Sequence, residues 1–187
     1  MDNGKNIFGS VAALILVIIL AWGCNQSDKN MVDVGRKPLI EPDYSGVTIP
    51  RNIAPLNFKI REEGTGFKIV FNSENGSRIS LKTDNGIVRI PRRSWRKLLA
   101  GNNEGRITIG IISENRKKVR TKFTPFDVFV VEDPVDPWIS YRLLYPGYEA
   151  YSQISIKQRS TETFRERSLV ENQLLKTNCV NCHSLCA

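Results

Sequence analysis

Apolar and polar side chains alternate along most of residues 56–131, and this period of two limits the fold more than any other feature of the chain. A strand with one apolar face must pack that face against a second layer, so the alternation predicts sheets that face each other. The apolar members of the pattern include Leu56, Phe58, Ile60, Phe67, Ile69, Phe71, Ile79, Leu81, Val88, Ile90, Ile107, Ile109 and Ile111.

The segments between these strands have the composition of turns. Glu63-Gly64-Thr65-Gly66, Asn75-Gly76 and Asn85-Gly86 contain residues that tolerate a positive φ angle. Residues 94–100 are the exception, because Trp95, Leu98 and Leu99 fall at helical spacing and Gly101 follows as a stop. Further strands are predicted at 119–123 and 126–131. Seven or so short strands predict a mainly β fold, with a small β-sandwich of immunoglobulin or fibronectin type over residues 50–132.

The N-terminal residues have the pattern of an export signal. Lys5 precedes an apolar run from Ile7 to Gly23, and Cys24 follows it. Residues 20–24 resemble a bacterial lipobox, which predicts a signal peptide over 1–23 and lipidation of Cys24. An uncleaved transmembrane anchor and a soluble secreted protein are the alternatives. All three place the rest of the chain beyond the cytoplasm, and the first predicts a membrane-anchored protein of the cell envelope, on the periplasmic side.

The segment after Cys24 is polar and contains several prolines. It has no sustained apolar period, and Pro38, Pro42 and Pro50 are spaced through it. The sequence therefore predicts a lipidated tether over residues 24–49.

The most specific motif is Cys179-Val180-Asn181-Cys182-His183, which has the Cys-x-x-Cys-His order of a c-type haem attachment site. In this interpretation Cys179 and Cys182 bond covalently to haem c and His183 is an axial ligand of the iron. A disulfide or redox dithiol is one alternative, and a metal site that includes Cys186 is another. His183 is the only histidine, so a sixth ligand would come from Met31, a lysine or tyrosine, water or a partner.

Asp133-Pro134-Val135-Asp136-Pro137 interrupts backbone hydrogen bonding twice and predicts a domain boundary. Beyond it, residues 138–144 and 153–158 have the composition of strands. The series at 139–149, 156–159, 171–172 and 178–184 resembles the start of the propeller in TolB-like periplasmic proteins with one c-type haem motif, often called cytochrome c biogenesis proteins. The resemblance implies an incomplete propeller blade with a haem-motif loop over residues 133–187, and a chain that is shorter than the family's.

Charge and composition limit the function. The 27 Lys and Arg outnumber the 19 Asp and Glu, for a net charge of +8, but the cations are spread through strands and no nucleic-acid motif accompanies them. No catalytic constellation or small-molecule substrate is indicated, so we expect no enzyme. The sequence predicts a haem-bearing envelope lipoprotein for electron transfer or haem handling, with a redox or envelope protein as partner. The alternative is a non-haem binding or structural lipoprotein with a Cys179–Cys182 disulfide.

Overall fold

The fold is mainly β, as the sequence predicts. The computed structural model describes residues 30–101, 105–146 and 153–172. In chain order its elements are β1 (Met31–Asp33), β2 (Ile40–Glu41), β3 (Thr48–Pro50), β4 (Phe58–Ile60), β5 (Gly66–Ser73), β6 (Arg78–Thr83), β7 (Ile87–Val88), α1 (Arg92–Ala100), β8 (Gly105–Glu114), β9 (Arg120–Lys122), β10 (Phe126–Val131), β11 (Trp138–Leu143), β12 (Ser155–Ser160) and β13 (Glu166–Glu171). Within the described residues, no helix is both long enough and apolar enough to cross a bilayer.

The larger sheet is built around β8. One edge of β8 pairs antiparallel with β5, which in turn pairs with β6. The other edge pairs with β10 along its first half and with β9 along its second half. Two short strands complete the sheet by parallel pairing, β3 beside β10 and β1 beside β9.

A smaller antiparallel sheet, β2-β4-β7, covers the apolar face of the larger one. Phe58, Ile60 and Val88 of the small sheet share one buried cluster with residues such as Phe71 and Ile109 of the large sheet. In an immunoglobulin-type sandwich, strands A, B and E lie in one sheet and face strands C, F and G in the other. Here the small sheet supplies positions A, B and E as β2, β4 and β7. The large sheet supplies positions C, F and G as β5, β8 and β10.

Helix α1 closes one side of this core. Trp95, Leu98 and Leu99 are at most 2% exposed, which confirms the helical spacing seen in the sequence. The indole N–H of Trp95 donates to the carbonyl of Ile53 at 3.0 Å, and its ring meets Phe71 edge-on. The helix begins at Arg92 rather than at Ser94, and Gly101 follows its last residue as predicted.

The folded body begins earlier than the sequence predicts. Residues 30–49, expected to be part of the tether, contain β1, β2 and the start of β3, and both Ile40 and Ile49 lie in the core. Strands of two or three residues are too short to show alternation, and parallel partners distant in sequence leave no local signal.

An ion pair holds this N-terminal segment against the sandwich. The guanidinium of Arg36 donates two hydrogen bonds to the carboxylate of Glu62, at 2.6 and 2.8 Å. The backbone N–H of Leu39 donates to the same carboxylate at 2.7 Å, and the guanidinium lies over the ring of Phe123. The Glu62 side chain is only 7% exposed, so these contacts replace most of its hydration.

The chain continues past the sandwich into a separate antiparallel sheet, β11-β12-β13, which we call the second sheet. The sequence predicts its first two strands at 138–144 and 153–158, close to the observed bounds. Residues 166–171 add a third strand, with a register shift between Ile156 and Lys157. None of the three strands contributes a residue to the core cluster of the sandwich.

Candidate functional site

The residues that the sequence assigns to the haem motif and the lipid anchor lie outside the described part of the chain. These are Cys179, Cys182 and His183 for the haem, and Cys24 for the lipid. Among residues 30–101, 105–146 and 153–172, no three His, Cys, Asp or Glu side chains come together as a metal site. The described residues instead give the two places from which these segments depart.

The N-terminal segment joins the sandwich at one end of β8. The parallel register of β1 and β9 sets Met31 opposite Arg120, and the backbone N–H of Arg120 donates to the carbonyl of Asn30 at 2.9 Å. Since β9 follows directly from the β8–β9 turn, Asn30 lies beside that turn. We call this end of the sandwich, formed by Asn30 and residues 114–120, the turn end.

The second sheet joins the sandwich at the opposite end of β8. The antiparallel register sets Val130, near the end of β10, opposite Gly105 at the start of β8. We call this end, formed by Gly105, Val131 and residues 52–54, the junction end. The ten residues of β8 separate the two ends by about 30 Å, at about 3.3 Å per residue.

Hydrogen bonds fix the second sheet to the junction end. The side-chain amide of Asn52 donates to the carbonyl of Val135 at 2.8 Å, and the side-chain oxygen of Asn52 accepts from the backbone N–H of Val135 at 3.0 Å. The N–H of Ala54 donates to the carbonyl of Thr161 at 2.7 Å, and the Thr161 hydroxyl donates to the carbonyl of Asp136. The boundary predicted at 133–137 is therefore a hydrogen-bonded joint rather than a free linker.

The chain leaves the second sheet on the side away from this joint. Ser155 pairs with both Leu143 and Glu171, whereas Ser160, at the other end of β12, pairs with Trp138 near the joint. The N–H of Asn172 donates to the carbonyl of Ile154 at 3.0 Å. Seven residue steps separate Asn172 from Cys179, so the motif begins within about 24 Å of this corner.

An open cavity of about 230 Å³ lies at the same corner. Pockets that enclose drug-sized ligands measure about 300–1,000 Å³, so this cavity does not enclose a porphyrin by itself. At most, its lining forms one wall of the haem site that the sequence predicts. The cavity is lined by Tyr145, Gln153, Ile154, Ser155, Lys157, Ser168, Glu171 and Asn172.

A cluster of titratable groups crosses one face of the second sheet. Glu166 accepts hydrogen bonds from the ammonium of Lys157, at 2.8 Å, and from the hydroxyl of Tyr141. These bonds hold the pKa of Glu166 below its usual value and raise the pKa of both Lys157 and Tyr141. Each group is thus held in its ordinary charge state at neutral pH, which suits a cross-strand contact better than proton transfer.

These contacts also bear on the candidates for a sixth iron ligand. Met31 is partly buried in β1 at the turn end, whereas the haem motif follows from the far side of the second sheet. Lys157 lines the corner cavity, but its raised pKa keeps it protonated, and an ammonium has no lone pair for iron. Of the residue types that the sequence offers as a sixth ligand, Tyr145 is the other described side chain in that cavity.

The sequence patterns did not show that the two segments join the sandwich at opposite ends. The only local sign of the turn end is the basic run 116–122, and Asn52 at the junction end carries no signal at all. Searches against family profiles, curated protein sequences and solved structures found no match to this chain.

Proposed function

We propose that this chain is an envelope-anchored lipoprotein that carries one covalent c-type haem and serves electron transfer or haem handling. Cys24 takes the lipid, Cys179 and Cys182 hold the porphyrin, and His183 is an axial ligand. The sandwich acts as a spacer between the membrane and the haem segment. The second sheet is the start of a propeller blade of the TolB-like kind.

The observation that carries the proposal is the order Cys-x-x-Cys-His itself. Two thiols at this spacing could bond to the two vinyl groups along one porphyrin edge, and the adjacent imidazole of His183 would then supply a ligand to the iron. Zinc sites usually combine two separated ligand pairs, which a single compact run does not supply. Bound haem would supply one-electron redox chemistry, while the protein sets its potential through the axial ligands and the surrounding polarity.

The spacer role is supported by where the two segments depart. The N-terminal segment joins at the turn end, and the second sheet joins at the junction end, about 30 Å away along β8. The haem-motif segment leaves from the far corner of the second sheet, where Asn172 bonds to Ile154. A protein that only needed to hold haem at the membrane surface would have no use for this separation.

A haem stain tests the cofactor. The full chain is expressed in cells that mature c-type cytochromes, and the membrane fraction is run on a denaturing gel. We expect a band with peroxidase activity and a Soret absorption in the purified protein. Cys179→Ala combined with Cys182→Ala should abolish both signals.

Cys186→Ala is the matched control, because it removes a nearby thiol outside the motif and should leave the pigment unchanged. Mass spectrometry of the same sample separates the alternative, since haem adds the mass of a porphyrin whereas a Cys179–Cys182 disulfide removes two hydrogens. Exported, colourless protein with that disulfide would replace the haem proposal with a binding or structural lipoprotein.

A further inference from the structure

The β8–β9 turn presents a group of exposed cations on a backbone that is fixed by hydrogen bonds. Arg116, Lys117 and Lys118 are exposed, with Lys118 having 81% of its side chain accessible. The side-chain oxygen of Asn115 accepts hydrogen bonds from the N–H groups of Lys117 and Val119, at 2.9 and 3.0 Å. Lys118 has a φ angle of +62°, a conformation that Gly or Asn adopts at lower cost. The turn therefore keeps a lysine where glycine would fit the backbone better.

The charge at this turn is strongly unbalanced. Residues 114–122 contain five cations and one carboxylate. Glu114 pairs with Lys118 at 2.9 Å, and Asp33 lies 3.7 Å from Lys122. Within the described part of the chain, Arg116 and Lys117 have no carboxylate within ion-pair distance. An excess of positive charge remains on this surface.

The same turn lies where the N-terminal segment meets the fold, since Arg120 bonds to Asn30 at 2.9 Å. Six residue steps join Cys24 to Asn30 and reach at most about 20 Å. The tether predicted from the sequence, with 26 residues, would have reached about 85 Å. A lipid on Cys24 would therefore keep the turn end within about 20 Å of the headgroups, about two and a half Debye lengths at physiological salt, and close enough to touch them when the segment is not fully extended.

We propose that the basic turn, Arg116, Lys117 and Lys118, docks on the anionic phospholipid headgroups of the membrane that holds the anchor. The inference rests on the lipid anchor of the proposed function, and it sets the orientation of the protein. The turn end faces the bilayer, and the junction end, with the second sheet, points away from it. Each cation that reaches an anionic surface raises the docked-to-undocked ratio about fivefold.

The test uses the full chain, reconstituted through its own N-terminus into phosphatidylcholine vesicles with and without phosphatidylglycerol. Hydrogen exchange of the amides at 115–119 is measured by mass spectrometry, with the β5–β6 turn at 74–77 as an internal reference at the junction end. We expect slower exchange at 115–119 on the anionic vesicles only. High salt should remove the difference, because it screens the attraction.

Arg116→Gln combined with Lys117→Gln should lower the docked-to-undocked ratio about 25-fold and abolish the protection. The matched control is Arg92→Gln with Arg93→Gln, which removes equal charge from the exposed face of α1. That helix contacts the junction end, where the side chain of Asn75 bonds to the carbonyl of Gly101, so the control should keep full protection. Lys118→Gly relieves the positive φ and should weaken docking about fivefold while the fold stays intact.

The outcomes separate the two proposals. If the chain fails to float with neutral vesicles, the proposed lipid anchor is wrong. If the chain floats but residues 115–119 exchange equally on both kinds of vesicle, only the proposed docking surface is wrong. Equal protection by soluble polyglutamate in the presence of neutral vesicles would assign the turn to an acidic protein, and it would also overturn the membrane assignment.

Discussion

The sandwich and the second sheet are both antiparallel β structures, but they are stabilised in different ways. The sandwich encloses a core between two layers, in which Ile69, Phe71 and Val128 are fully buried. Among the described residues, the second sheet forms one layer in which several large apolar side chains are exposed, including Ile139 at 58% and Phe164 at 53%. Its strands are joined instead by polar pairs, such as Lys157 with Glu166 and Arg167 with Gln158.

This difference shows which region can fold by itself. Burial of apolar area contributes about 25 cal/mol per Å², whereas exposed ion pairs contribute at most about 1 kcal/mol each. A three-stranded sheet needs a packed apolar face to be stable in water, and the described residues place no second layer on this one, so we expect the second sheet to depend on its bonds to the sandwich. The predictions below test this contrast, from the largest expected effect to the smallest.

The two described tryptophans give the sharpest comparison. Trp95 is fully buried, and Trp95→Ala should cost the sandwich about 4 kcal/mol in free energy of unfolding. Trp138 is partly exposed in β11, with the guanidinium of Arg167 over its ring at 4.9 Å, and Trp138→Ala should cost less than about 1 kcal/mol. Urea unfolding followed by far-ultraviolet circular dichroism measures both. Similar costs would show that the second sheet has a core of its own.

Glu62→Gln should cost about 1.5–3 kcal/mol, because it weakens charged hydrogen bonds to Arg36 in a site that is largely dehydrated. The hydrogen bonds from Arg36 hold the pKa of Glu62 below its ordinary value of 4.5. The pair's contribution is therefore complete above about pH 4.5 and is lost as the pH falls through the lower pKa of the folded state.

Unfolding titrations at several pH values check this assignment. The wild-type chain should lose stability below pH 4.5 more steeply than Glu62→Gln. Glu63→Gln removes the same charge from an exposed neighbour and should follow the wild type. If the free energy of unfolding falls with pH in the same way for all three proteins, another carboxylate controls the loss of stability in acid.

Gly86→Ala tests the turn that leads from β6 in the large sheet to β7 in the small sheet. Gly86 has a φ angle of +74°, and a Cβ atom there would lie 2.9 Å from the carbonyl oxygen of Ile60. We expect a cost of about 2 kcal/mol from the backbone conformation and the contact together. Gly76 has a φ of +85° with no atom within 4 Å, so Gly76→Ala should cost only about 1 kcal/mol. Thermal unfolding of the two variants compares them directly.

Asn52→Ala tests the joint between the two regions. It removes both hydrogen bonds to Val135, so it should weaken the attachment of the second sheet to the sandwich by about 1 kcal/mol. The free energy of unfolding of the sandwich should change little. Hydrogen exchange should quicken in β11 and β12 but not in β5 or β8. Asn72→Ala, at an exposed position of β5, is the control. Unchanged exchange in the second sheet would show that the sheet does not depend on this joint.

Much of the sandwich was predictable because its signals are local. Alternation located β5, β8 and β10, and helical spacing identified the buried residues of α1. The strands β1, β2 and β3 could not be found in this way, because two or three residues are too few to show alternation. The haem and lipid cysteines are predictions from spacing alone and lie outside the described residues, so their assignment depends on the proposed experiments.

The sequence by itself determined which side chains are apolar, where turns interrupt them, and which thiols and imidazole stand together in one motif. These are properties of neighbouring residues, and neighbouring residues are what a linear pattern records. Only the tertiary structure decided that Asn30 lies beside Arg120, that Arg36 meets Glu62, and that the second sheet joins the opposite end of β8. Each of these contacts forms between segments distant in the chain, and their positions follow from how the sheets pair and pack around the shared core.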